Sequence, residues 1–487
     1  DALPKVDELF LLRTVILHRS LIFILQFVAS FFDFSTDAFI SHPTDRSSLL
    51  DRLFGRLTKG LMTWDAQQFI QIANHGYKLE HSLAFFPAFP YLTKIASACW
   101  SSPFILVGFI SASTSYILSG IFLNLLCFLF SSFLVYKISF KLTRCPITTS
   151  IAVLLFSCNP ASIFFSAFYT ESLFCSLTFL AITLLLSKQF NWRFTFASLL
   201  FTLSLLARSN GFLNFFYVAY YGMLDVLDRG SHRSIFKRIM LYIGRVCSCA
   251  GSMWLALRTY SLHQTNAFCA SPTRERPPWC SKSSLLSPAF YSYVQEKYWN
   301  VSLFGYWQLR KIPCFLMAAP AIILVVLCVV RVLRRVLSRG SECLHSLVSS
   351  NGDTLPFALH SVVLAIPAIF IYNVEVFTRI VFSSSPFLYI ELARLIKDRL
   401  PRFKDYGMLA MRMTAGSVHR PTVPPGVPPT RLPTVPSRRN LLHFPVLDSV
   451  LRSRDCHVLV FPPLHLTLFI IPFYHPPQAS DVLLLAE

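Results

Sequence analysis

The sequence predicts an all-α polytopic membrane protein. Three observations carry that prediction. The chain of 487 residues is 54% hydrophobic and only 14% charged, where a soluble domain averages about 25% charged residues. Apolar runs of bilayer-spanning length recur along it. Its basic residues gather in short clusters between those runs.

The runs lie near residues 14–34, 103–136, 147–168, 172–187, 194–207, 211–228, 239–259, 314–330, 357–376 and 380–396. The first, Thr14 to Phe34, has no convincing small-residue cleavage site and reads as an uncleaved signal anchor. The run at 103–136 is too long for one helix. Ser111, Ser113, Thr114 and Ser115 suggest a break, so its first part is expected to be re-entrant or interfacial and the whole to make one crossing.

A net charge of +20 raises the possibility of nucleic-acid binding. A nucleic-acid domain gathers its basic residues on one polar surface, whereas these are spread between apolar runs, so the charge reads as membrane topology. Basic clusters at Lys137/Lys141/Arg144, Lys188/Arg193, Arg229/Arg233/Lys237/Arg238 and Arg331/Arg334/Arg335/Arg339 occupy alternate connections. Those connections are expected on the cytoplasmic side. The other face then collects the 35–102 loop with Asp65 and Glu80, the corners at Glu171 and Arg208, the 260–313 loop and Arg379.

On that face the chemistry concentrates. Trp64-Asp65, His75, Glu80 and His81 put two carboxylates and two histidines among aromatics, in a chain with few places for a charge that is not solvated, paired or working. Helical spacing of Trp64, Phe69, Ile72 and Ala73 makes Asp65 either a helix N-cap or a catalytic base. Glu80, His75 and His81 are equally open, as second acid, substrate contacts or parts of a headgroup-facing loop. Glu171 and Arg208 sit between apolar runs with almost no connecting loop, and an anionic lipid phosphate needs a cation there. Arg208 either serves such a phosphate, snorkels to a headgroup or pairs with Glu171. Arg379, ahead of Ser383-Ser384-Ser385-Pro386, is the second phosphate candidate.

The 260–313 loop carries Trp279, with Tyr291, Tyr298, Trp299, Tyr306 and Trp307; aromatic faces there suit sugars and headgroups, or form an interfacial belt. Cys269 and Cys280 flank its polar stretch and form a disulfide if it faces an oxidising lumen; two free thiols are the alternative. The sequon Asn300-Val301-Ser302 is a glycan acceptor pattern on the same face. The remaining cysteines show no zinc-ligand spacing, and no metal site is expected.

Several blocks in order carry a family resemblance. They are Trp64-Asp65 with His75-Gly76-Tyr77, Glu80-His81 and Phe85-Phe86-Pro87; Cys158-Asn159-Pro160 through Phe165 with Tyr169-Thr170-Glu171-Ser172; Ala207-Arg208-Ser209-Asn210-Gly211; Pro277-Pro278-Trp279-Cys280; and Arg379 with Ser383-Ser384-Ser385-Pro386. Together they resemble the GPI mannosyltransferase 2 (phosphatidylinositol glycan class V) family. The resemblance spans about residues 10 to 396. It implies a GT-C-like multi-helix bundle in the endoplasmic reticulum membrane, with luminal loops carrying the active site. It implies transfer of a second, α1,6-linked mannose from dolichyl-phosphate mannose to a mannosylated GPI precursor by inverting displacement. Asp65 matches the acidic residue of the first luminal loop in such enzymes. No cofactor or metal is implied, and the expected partners are membrane lipids, the two lipid substrates and a small accessory membrane subunit.

Residues 1–400 are therefore expected to form the transferase domain. Beyond about Leu400 the resemblance ends. Residues 421–436, rich in proline, favour extended, disordered chain, and Val458–Tyr474 is interrupted by Pro462, Pro463 and Pro472, so 401–487 reads as a divergent tail. A lipid or solute transporter, a scramblase or a non-catalytic scaffold subunit is the alternative class. A transporter should show internal repeats or mid-membrane ionisable residues, and neither is clear in the sequence.

Overall fold

The structure is a computed structural model that describes residues 8–31, 48–187, 192–228, 234–270, 276–281, 288–338 and 353–399. The chain divides into two units, Asp1–Lys397 with Pro472–Glu487 and Asp398–Ile471. All that follows concerns the first; the expected tail at 401–487 lies outside the described residues.

Among the described residues the secondary structure is helical throughout. The longer elements are α1 (Glu8–Ala29), α2 (Leu49–Thr58), α3 (Asp65–His75), α4 (Ala88–Leu106), α5 (Ala112–Thr143), α6 (Pro146–Ser157), α7 (Glu171–Leu186), α8 (Arg193–Ala207), α9 (Phe215–Leu227), α10 (Ile235–Cys269), α11 (Ala289–Trp299), α12 (Ile312–Leu337), α13 (Leu355–Phe370), α14 (Phe377–Ser384) and α15 (387–399). Among them α1, α5, α10 and α12 are long and apolar enough to cross a membrane, with α6, α7, α8 and α13 as shorter apolar helices. The chain is a multi-helix membrane protein.

Helix α7 is the axis of the bundle. Twelve of its sixteen residues are buried, spread over every face, as in a helix enclosed by others on all sides. It packs against α5 and α8, and Phe179, Ile182 and Leu185 join Phe128 of α5 and Phe201 of α8 in the core. Consequently its first residue, Glu171, stands at the centre of one end of the bundle. An acid there is favoured by the positive end of the helix dipole.

Three of the apolar runs divide differently from the sequence expectation. The break in the 103–136 run falls at Val107–Ser111, and its first residues complete α4, a helix inside the stretch expected to be loop. Apolar-run reading passes over α4 because its buried face is hydroxylated. Ser97, Ser101 and Ser115 are buried and bonded to one another at 2.6–3.0 Å, and Trp100 Nε1 donates to Ser119 Oγ at 2.9 Å. Small hydroxylated residues let two helices approach closely while satisfying each other. The second difference is at 380–396, where Ser385-Pro386 separates α14 from α15, because proline removes a donor and disfavours helix in the residue before it.

The apolar run at 147–168 also breaks, at Asn159-Pro160, into α6 and an irregular segment with a single 3-10 turn at Ser162–Phe165 that leads to Glu171. Irregular backbone is tolerated inside a membrane protein only where its polar groups are satisfied. Arg19 of α1, a residue not singled out from sequence, does this. It is 2% exposed, donates through Nη1 to Ser162 O and Ser166 Oγ at 2.9 Å each and through Nη2 to Ser157 O at 3.0 Å and Ser162 Oγ, and lies 3.8 Å over the Phe128 ring. Asn124 of α5 holds the far end through Ala167 O (2.6 Å) and Tyr169 O (2.9 Å).

Candidate active site

At the Glu171 end of the bundle, four charges of alternating sign join into one chain. Asp65 Oδ2 accepts from Arg379 Nη1 at 2.8 Å, Arg379 Nε donates to Glu171 Oε1 at 2.8 Å, and Arg208 Nη1 pairs with the same Glu171 oxygen at 2.5 Å. These residues come from the starts of α3 and α7, the end of α8 and the first turn of α14. Every one was assigned to this face from charge alternation, and the structure brings all four together.

Exposure grades along the chain. The Glu171 side chain is 0% exposed, Arg379 11%, Arg208 14% and Asp65 35%, so only the Asp65 end opens outward. Asp65 opens α3 but does not cap it, since no side-chain cap bond is made and its carboxylate turns to Arg379. Arg208 pairs with Glu171, one of the alternatives open from sequence. Bonding is incomplete in a consistent way: among the described residues, Asp65 Oδ1 and the Nη2 groups of Arg208 and Arg379 take no hydrogen bond. Glu171 Oε2 is buried without a partner.

The segment around Arg208 folds to hold it in place. Arg208 leaves α8 in extended conformation, its Nε bonded to Asn210 Oδ1 at 3.3 Å, while Asn210 Nδ2 reaches Ser384 Oγ of α14 at 2.9 Å. Gly211 lies against the backbone of α8, where a Cβ would sit 2.6 Å from Leu205 Cα and N. Thus Ala207-Arg208-Ser209-Asn210-Gly211 supplies a cation, a tie to the other cation's helix and the space to fit both.

Other expected site residues fall into different places. Glu80 stands apart from the charge chain: Oε1 accepts from Trp279 Nε1 at 2.9 Å, and Oε2 from Lys297 Nζ at 2.6 Å and Tyr298 Oη at 2.8 Å. Burial works against its charge, but those three donors prevail and hold its carboxyl below the usual carboxylate range. That is a clamp between the Glu80–Ala84 turn and the 276–299 region. Trp279, expected to offer a face to sugar or headgroup, is 0% exposed instead, packed against Phe268 and Phe290 with its N–H spent on Glu80. His81 packs on the Tyr298 ring at 5.5 Å between centroids, and burial lowers its imidazole pKa.

Trp64 and His75 are exposed, Trp64 by 47%. Cys269 and Cys280 are joined in a disulfide across 5.8 Å between Cα atoms, which staples the end of α10 to the Trp279 turn. Asn300 ends α11 in the left-handed conformation (φ 53°), and its Nδ2, the atom a glycan takes, donates to Gly305 O at 3.0 Å. Asparagine tolerates that conformation better than most residues, which accounts for it structurally.

Residues 6–411 match the family model described as mannosyltransferase (PIG-V). The chain belongs to this mannosyltransferase family. Among its relatives, GPI mannosyltransferase pigv-1 of Caenorhabditis elegans is 33% identical over 80% of this chain and 72% of its own length. GPI alpha-1,6-mannosyltransferase 2 is 30% identical in Rattus norvegicus (76% of this chain, 80% of the relative) and 27% in Homo sapiens (91% and 93%). Among solved structures, the apo oligosaccharyltransferase of Archaeoglobus fulgidus aligns at TM-score 0.39 and 13% identity over 83% of this chain. The alignment spans 53% of that chain, and a likeness at this level carries no weight for fold or function. Family membership makes the protein a glycosyltransferase of the membrane.

Proposed function

We propose that the protein transfers the second mannose of a GPI precursor, in α1,6 linkage, from dolichyl-phosphate mannose, with the site on the luminal face of the endoplasmic reticulum membrane. The names of the relatives support the acceptor and linkage. The disulfide supports a lumenal, oxidising setting for the Glu171 end of the bundle.

One observation carries the chemistry: a partly exposed carboxylate bonded through one oxygen, next to two arginines that each keep an Nη2 group unused. Asp65 acts as general base. The acceptor 6-hydroxyl oxygen attacks the mannose C1 from the face opposite the phosphate. The C1–O bond to phosphate breaks, its electron pair leaves with dolichyl phosphate, and the hydroxyl proton passes to Asp65. A positioned base contributes about 10²- to 10⁴-fold. The leaving phosphate is already anionic and needs donors aimed at its oxygens rather than an acid. The unused Nη2 groups of Arg208 and Arg379 supply them, and Glu171 holds both guanidiniums in position. Trp64, exposed beside Asp65, offers its indole to a sugar ring. The proposal requires no cofactor and no metal.

Purified protein in lipid nanodiscs, given dolichyl-phosphate mannose and a one-mannose GPI glycolipid, is the test. A two-mannose product with a 1,6 linkage supports the reading. Failure to transfer, or transfer from a sugar nucleotide in place of the lipid donor, sinks it, and movement of unmodified lipid alone would point to the transporter class.

A further inference from the structure

Tyr169 meets the Asp65–Arg379 pair of the charge chain with different parts of one side chain. Its hydroxyl donates to Thr63 O at 3.0 Å, gripping the backbone just ahead of Trp64 and Asp65. Its ring lies under the Arg379 guanidinium, 4.9 Å from Cζ to the centroid, beside the Phe164 ring at 4.5 Å. The residue is 3% exposed and fixed by its own backbone, since Asn124 Nδ2 donates to Tyr169 O at 2.9 Å.

What the hydroxyl grips is strained. Trp64, between Thr63 and Asp65, has φ 58° and ψ −126°, a combination normally left to glycine and costly for an aromatic residue. A strained residue persists only where its surroundings over-determine it. Here they do, because Phe168 N donates to Leu61 O at 3.0 Å, and Tyr169 then holds Thr63. The strained turn sets the start of α3 and so the direction of the Asp65 carboxylate.

We infer that Tyr169 is a positioning residue with separable duties: its hydroxyl aims Asp65 at the acceptor hydroxyl, and its ring holds Arg379 for the donor phosphate. The inference rests on the proposed roles of Asp65 and Arg379. Removing the hydroxyl leaves the cation platform intact and lets the Trp64 turn relax. Misplacement of a reacting group by about 1 Å costs up to about 10²-fold in rate, and a ring–guanidinium contact is worth about 3- to 30-fold in binding.

Tyr169→Phe and Tyr169→Leu, assayed in nanodiscs for kcat and donor KM beside the parent and Asp65→Asn, test this. In Tyr169→Phe, kcat is expected to fall about 10-fold or more with donor KM within about 2-fold. Tyr169→Leu is expected to add a rise of at least about 3-fold in donor KM. A Tyr169→Phe protein with unchanged kcat, or with kcat and donor KM altered together, overturns the inference. Should Tyr169→Leu fail to fold, the Phe variant decides alone, since it keeps the ring and the core packing. Asp65→Asn separates the levels. If it still turns over, the base assignment falls; if it is inactive while Tyr169→Phe is normal, only the role of Tyr169 falls.

Discussion

Two clusters of two acids and two arginines close the opposite ends of this bundle, and they are built differently. Away from the site, Asp353, Arg335, Glu391 and Arg394 form a closed ring. Arg335 bonds Glu391 Oε2 at 2.7 Å and Asp353 Oδ2 at 3.2 Å, while Arg394 bonds Glu391 Oε1 and Asp353 Oδ1 at 2.8 Å each. Thr354 adds a bond to Glu391 Oε1 at 2.6 Å, and every carboxylate oxygen is taken. At the other end Asp65, Arg379, Glu171 and Arg208 form an open line with unbonded groups along it. Equal composition thus serves two purposes. A saturated ring ties α12, α13 and α15 together, whereas an unsaturated line leaves hydrogen-bonding capacity unused, as the proposed function requires.

Substitutions that exchange the symptoms of the two clusters break this contrast most directly. Asp65→Asn is expected to lower kcat by about 10²- to 10⁴-fold with little change in thermal unfolding. In Glu391→Gln the reverse is expected: two arginines lose a buried counter-charge, stability falls by about 3–5 kcal/mol, and the folded fraction, measured by monodisperse yield, keeps its specific activity. Unfolding in Asp65→Asn or inactivity in well-folded Glu391→Gln would erase the distinction.

Smaller changes sharpen it. Gly211→Ala forces a methyl against the α8 backbone, and overpacking of this kind costs about 1–3 kcal/mol. Because Arg208 is three residues away, turnover should fall together with melting temperature; a stable and fully active variant would free Gly211 from the site. The smallest effect concerns pH. With its carboxyl held below the usual range, the Glu80 clamp contributes stability that is fully present above the ordinary glutamate value of about 4.3 and is lost as pH falls through the lower folded value. Hydrogen exchange at 276–281 and 288–299 should therefore show no extra opening between pH 7 and 5 and an acid-induced opening below about pH 4, whereas Glu80→Gln should show the opened level at every pH. Opening already at pH 6 would contradict it.

Much of the site was legible in sequence because membrane topology is a strong filter. Basic clusters at 137, 188, 229 and 331 placed Asp65, Glu171, Arg208 and Arg379 on one face, and a small face leaves few places for four charges to be apart. Of the pairings within the line, Arg208 with Glu171 was among the alternatives open from sequence, whereas the two bonds of Arg379 were not legible, since they depend on which helices are neighbours. Arg19 was overlooked although its signal was present, as an ionisable residue within an apolar run is a site hypothesis by default. Serines hid α4, because hydropathy counts a hydroxyl as polar whether or not another serine satisfies it. In sequence Glu80 stays open between second acid, substrate contact and loop residue, and Trp279 between sugar or headgroup face and interfacial belt, because an aromatic beside an acid looks the same when the two bond only to each other and their neighbours.

The open line also has an order of construction. Arg208 follows Glu171 by one helical hairpin, so this buried pair can form early, while Arg379 lies 314 residues beyond Asp65. At ordinary rates of synthesis that interval is about 15–60 s. Until α14 emerges, Glu171 is held by one cation and Asp65 by none. A chain interrupted before that point carries Asp65 without its arginine, so the line is complete only after nearly the whole membrane bundle has been made.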